Sequence, residues 1–134
     1  MINVQTTVLI SLEKAWKLWT QPEHITQWNN ASDDWHCPKA TNDLKVGGTF
    51  SYTMASKDGE MSFDFEGTYT NVMPLSVIEY TIIDGRKVII HFEKTENGIQ
   101  ITESFEPETI HSEELQRDGW QAIVYNYKKY CESN

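Results

Sequence analysis

Between residues 47 and 106 apolar side chains recur at every second position in a series of short segments, each closed by a turn signal. Successive side chains of a strand point to opposite faces, so this period of two predicts an antiparallel sheet with one face buried. Phe50, Tyr52 and Met54 alternate with small polar residues, and Met61, Phe63 and Phe65 alternate with Ser62, Asp64 and Glu66. Ile78, Tyr80 and Ile82, then Val88, Ile90 and Phe92, then Ile99, Ile101 and Phe105 continue the pattern. Lys57-Asp58-Gly59 and Asn71 to Pro74 are turns, and Asp84-Gly85 and Asn97-Gly98 are hairpin signals. Gly67 interrupts its segment and predicts a bulge or a sharp bend. A five-strand meander over 47–106 is expected.

A sheet with one apolar face must cover it. The segment 112–132 offers the cover. Ser112 can cap a helix whose first turn holds Glu113 and Glu114 and whose last turn holds Lys128 and Lys129. Leu115, Trp120, Ile123, Val124 and Tyr127 form its apolar stripe. Ahead of the meander, Ile2, Val4, Thr6, Val8 and Ile10 alternate as a strand. Ser11 then caps a helix carrying Leu12, Trp16 and Trp19, and Thr20-Gln21-Pro22-Glu23 reads as a capping box opening a second short helix that ends near Trp28. Residues 29–46 are irregular, with one short strand expected at Trp35–Cys37. Gly47-Gly48 bends the backbone at strand entry; no helix follows it, so it is no phosphate cradle. The expected fold is α+β: a bent antiparallel sheet wrapped round a long C-terminal helix, with two short helices after the first strand, in a single domain over 1–134.

A formal net charge of −9 repels phosphate backbones and anionic lipid heads, so neither nucleic acid nor a membrane surface is an expected partner. No apolar run approaches the ~20 residues that span a bilayer. Residues 1–10 lack the pattern of an export signal, and a cytoplasmic location with reduced Cys37 and Cys131 is expected.

The order of these elements and their motifs resemble the START-like helix-grip superfamily (SRPBCC). Within it, the chain is similar to the domain shared with activators of the heat shock protein 90 ATPase. The resemblance runs nearly end to end. It is carried by Ala15-Trp16 to Trp19, Pro22-Glu23 with Gln27-Trp28-Asn29, the segment 43–50, Asp58-Gly59, Phe65 to Tyr69, Ile78-Glu79-Tyr80 and Gly119-Trp120. It implies a helix-grip fold with an internal cavity for a small apolar molecule. Some members of the superfamily are cyclases and some are co-chaperones, so a cyclase- or hydrolase-type reaction using a pocket carboxylate, or a co-chaperone-like protein partner, is an alternative. The eukaryotic activators carry an additional N-terminal chaperone-binding domain, and none is expected within these 134 residues. A monomer or weak dimer is expected, with no cofactor.

Trp28, Trp35, Phe50, Tyr52, Phe63, Phe65, Tyr80, Phe92 and Trp120, with Val124, either line such a cavity or fill it; the resemblance favours a cavity. Gly119 leaves room beside Trp120 or lets a strand come close. Glu103 is in phase with Ile99, Ile101 and Phe105, which directs it inward, where a carboxyl must be paired or protonated. It is the candidate acid for any chemistry; the alternative is that its strand has reached a wet rim, or that a bulge flips its phase. Arg117 flanks the helix stripe, within reach of a pocket mouth. Asp33-Asp34-Trp35-His36-Cys37 has metal-capable side chains, but neighbours on an extended segment point apart, so no metal site is expected.

Overall fold

A computed structural model describes residues 1–134. Its elements are β1 (Ile2–Val8), α1 (Leu12–Thr20), α2 (Pro22–Trp28), β2 (Trp35–Asn42), β3 (Thr49–Ser56), β4 (Ser62–Met73), β5 (Val77–Ile82), β6 (Lys87–Thr95), β7 (Gly98–Phe105) and α3 (Glu113–Ser133). The strands form one antiparallel sheet in the order β1-β7-β6-β5-β4-β3-β2. The five-strand meander is present as β3 to β7. β1 adds to β7, so that Ile2 faces Phe105 and Val4 faces Glu103. No helix is long and apolar enough to cross a membrane.

The alternation in the sequence sets which face is buried. Ile78, Tyr80, Ile82, Val88, Ile90, Phe92, Ile99, Ile101 and Phe105 all point to the concave side. On that side α3 crosses the sheet, burying Val124, Tyr127 and Cys131. Two polar tips buried where the helices meet are satisfied. The Tyr127 hydroxyl donates to the Ala15 carbonyl at 2.6 Å, and the Trp28 indole N–H donates to the Leu18 carbonyl at 3.0 Å. Those two bonds tie α3 and α2 to α1, because a buried donor left unpaired would cost about 1–3 kcal/mol.

Several local expectations need correction. The strand at Trp35–Cys37 extends to Asn42, with an irregular register between His36 and Lys39. Pro38 falls in that irregularity, on an edge strand where its missing N–H costs no ladder bond. The capping box does not form. Thr20 still belongs to α1, and its hydroxyl donates back to the Trp16 carbonyl, while Gln21 caps α2 without a side-chain bond. Leu115 is exposed, and Gln116, its neighbour in the first turn of α3, is buried instead. The Gln116 amide accepts from the Glu108 N–H and donates to the Glu108 and His111 carbonyls, fixing the loop that leads into the helix. Lys128 and Lys129 precede the last turn rather than forming it. Both cysteines are free and buried.

Candidate functional site

Helix α3 and the concave sheet do not close on each other completely. A cavity of ≈ 200 Å³ remains between them, with α1 and α2 at one side. Its wall follows from strand phase. Phe50, Tyr52 and Met54 on β3, Phe63, Phe65 and Tyr69 on β4, Ile78 and Tyr80 on β5, and Ile90 on β6 supply the sheet side. Trp19 and Trp28 approach from α1 and α2, and Trp120 and Ile123 from α3. Phe63 lines the cavity yet is largely exposed, so it stands at the opening.

Large rings hold this wall together. Phe50 sits in the middle of one group, with ring centroids 4.8 Å from Tyr52, 5.4 Å from Tyr69 and 4.7 Å from Tyr80. Gly67 makes room for it: a Cβ there would come within 2.7 Å of the Phe50 ring and 2.8 Å of the Thr81 carbonyl oxygen. Gly67 thus leaves space for a ring from the neighbouring strand, and the register shift in β4 lies further on, between Tyr69 and Asn71. Trp120 stacks on Phe105 and meets Phe65 edge-on at 6.1 Å.

The polar part of the wall is small. At one end the Tyr69 hydroxyl donates to Asn42 Oδ1 at 2.6 Å, and Asn42 Nδ2 donates to the Thr20 carbonyl at 2.7 Å. Burial raises the Tyr69 hydroxyl to about 12 and puts those of Tyr52 and Tyr80 well above their ordinary range, so all three are neutral donors. Glu103 is the one charged residue type in the wall. It is buried, its cross-strand neighbours are Val4 and Ile90, and its carboxyl has no protein partner. Desolvation alone moves its pKa from 4.5 to about 8, so the carboxyl is mostly protonated at neutral pH.

Of the residues expected at a site, Trp28, Phe50, Tyr52, Phe63, Phe65, Tyr80, Glu103 and Trp120 meet around this cavity. Trp35, Phe92 and Val124 do not. Trp35 lies on edge strand β2 and packs near Phe63, 6.0 Å between centroids, without reaching the cavity. Phe92 is on the inner face, but α1 covers it: its ring meets Trp16 at 5.1 Å and Trp19 at 6.0 Å. Val124 is completely buried in the core beyond the cavity. Arg117 is exposed and not part of the wall. Tyr69, Asn42 and Trp19 belong to the wall but were not among the expected residues. Tyr69 was legible in principle, since it continues the alternation of Phe63 and Phe65 after Gly67. Asn42 falls within residues 29–46, whose sequence carries no alternation and therefore no phase.

Comparison with known proteins agrees with this architecture. A family described as Activator of Hsp90 ATPase homolog 1-like protein matches residues 10–132. The solution structure of the AHSA1-like protein from Aeromonas hydrophila is 39% identical, with a TM-score of 0.93 over 98% of this chain and 92% of that one. Chr148 from Cytophaga hutchinsonii is 54% identical, with a TM-score of 0.85 over 99% of this chain and 92% of that one. NE0264 from Nitrosomonas europaea, at 17% identity and a TM-score of 0.85 over 98% and 94%, shares the fold. No curated protein gives a significant match. A family match over nearly all of the chain, on a curled sheet that grips one long helix, places the protein in the Activator of Hsp90 ATPase homolog 1-like family of the START-like (SRPBCC) superfamily.

Proposed function

We propose that the protein takes up a small, largely apolar molecule between α3 and the sheet. One observation carries this reading: a cavity of ≈ 200 Å³ whose wall has 18 residues, 14 of them hydrophobic. Interiors normally pack without voids larger than a water, and a void of this size forfeits dispersion contacts on all its walls. A chain rich enough in rings to close the gap has left it open. Apolar walls with a few placed polar groups are the usual form of a small-molecule site. Catalysis is the weaker reading. Glu103 has no nucleophile or second proton-transferring group beside it in the wall, since the tyrosines hold their protons far above neutral pH.

Native mass spectrometry of freshly isolated protein tests the reading, with Ile123→Trp as the comparison because the larger ring fills the cavity from α3. A bound small molecule is expected on the parent protein and not on the variant. Equal carriage by both would place the ligand elsewhere.

A further inference from the structure

If the cavity is a binding site, its ligand must answer one unusual feature of the wall. From the buried, unpartnered carboxyl of Glu103 among aromatic rings, we infer that the preferred ligand is an aryl or alkyl amine whose ammonium group pairs with Glu103. This rests on the cavity reading and names its substrate class.

Three observations point the same way. First, the wall holds no lysine, arginine or histidine, so Glu103 has no cation of its own. A carboxyl buried without a partner weakens the fold, and a ligand carrying the missing charge removes that penalty. Second, a neutral hydrogen-bonding ligand would not need it. Tyr80 and Tyr52 already place hydroxyls in the wall that can donate to a carbonyl or accept from an alcohol. As the neutral acid Glu103 adds only what the hydroxyls already offer, whereas an ammonium group gains most from the ionised carboxylate, through a charge-assisted bond. Third, much of the remaining wall is aromatic: Phe50, Tyr52, Phe65, Tyr80, Trp28 and Trp120 stand in it beside aliphatic side chains. The negative face of an aromatic ring attracts an ammonium, more strongly where water is excluded. The net charge of −9 adds a field that draws cations toward the protein.

The proton balance follows from the groups that face the cavity. Glu103 on β7 is accompanied by Tyr52 on β3, Tyr69 on β4 and Tyr80 on β5; α1, α2, β2, β6 and α3 contribute no titratable side chain. The tyrosines keep their protons through neutral pH. Below about 8 the free protein carries Glu103 as the acid. Binding an ammonium then converts the acid to carboxylate and releases one proton to the buffer. Affinity for an amine therefore rises with pH, by up to about tenfold per unit below about 8, levels off above it and falls again once the free amine loses its own proton.

Isothermal titration of the whole protein with benzylamine and with benzyl alcohol, which differ in the ammonium group, tests the inference. Benzylamine is expected to bind at least tenfold more tightly at pH 8 and to release close to one proton at pH 6.5, seen by repeating the titration in buffers of different ionisation heat. Glu103→Gln should remove the preference and the proton release while leaving benzyl alcohol bound. Equal binding of the two compounds, or a preference for the amine that Glu103→Gln leaves unchanged, overturns the amine assignment and leaves the cavity reading standing. Absence of binding by both at millimolar concentration overturns the cavity reading, and the amine assignment with it. If the variant does not fold, the proton release and pH dependence of the parent protein decide alone.

Discussion

The indole of Trp120 on α3 lies flat on the ring of Phe105 on β7, 3.9 Å between centroids and 11° between planes. This stack fastens the long helix to the strand that carries Glu103 two residues earlier. Trp120 therefore has two faces of interest, one against Phe105 and one bounding the cavity.

Trp120→Ala should destabilise the fold by about 3 kcal/mol, the low end for removing a large ring, because the residue is half-buried. The midpoint of urea unfolding measures this. The cavity should also widen, so that ligands larger than benzyl alcohol gain affinity relative to it. Unchanged stability would mean that the stack on Phe105 contributes nothing to holding α3.

Glu103 makes stability depend on pH with a definite sign. Unfolded, its carboxyl ionises near 4.5; folded, near 8. Between these values the folded chain holds the extra proton, so its contribution is complete below about 4.5, falls as pH rises toward 8, and is level above. The slope inside that window is at most about 1.4 kcal/mol per pH unit. Glu103→Gln removes this slope, and the variant should gain on the parent protein between pH 5 and pH 8. Parallel urea midpoints over that range would show that Glu103 is solvated.

Gly67→Ala should cost about 1–3 kcal/mol, since its Cβ would press on the Phe50 ring and on the Thr81 carbonyl, and one of them would have to shift. Near-ultraviolet circular dichroism should change with it, because Phe50 touches Tyr52, Tyr69 and Tyr80. An unaltered spectrum would mean that the ring moves freely.

Gly119→Ala is expected to act in the opposite direction. A Cβ at Gly119 would meet nothing within 4 Å, so no strand packs closely there and the glycine leaves open space. Replacing it inside a helix should add about 1 kcal/mol to stability. A lower thermal midpoint would show that something approaches this space in solution.

Most of the architecture was legible because one period set it. Alternation over 47–106 determines strand identity and the inward face together, and it puts Glu103 in the inward phase between Ile101 and Phe105; a wet rim or a phase-flipping bulge fits the same residues, and burial of the side chain decides against both. What failed were features set by tertiary neighbours. Phe92 and Phe50 share the inward phase, but only packing of Trp16 and Trp19 on Phe92 separates a covered ring from a cavity wall. Val124 and Ile123 are adjacent on the same helix, and the helix's rotation decides that one is core and the other wall. Asn42 reaches the wall through an edge strand whose register is broken near Pro38, and a broken register erases the phase from which inward and outward are read.

Uptake of a small apolar molecule into the cavity is the central claim, and carbon-13 methyl spectra of the isoleucines during a toluene titration test it most directly. Ile25, Ile78, Ile90 and Ile123 line the cavity, whereas Ile2, Ile99 and Ile101 are buried outside its wall and Ile83 and Ile110 are exposed. Saturable shifts confined to the first group are predicted. Shifts confined to Ile83 and Ile110, or none up to the solubility of toluene, would contradict it.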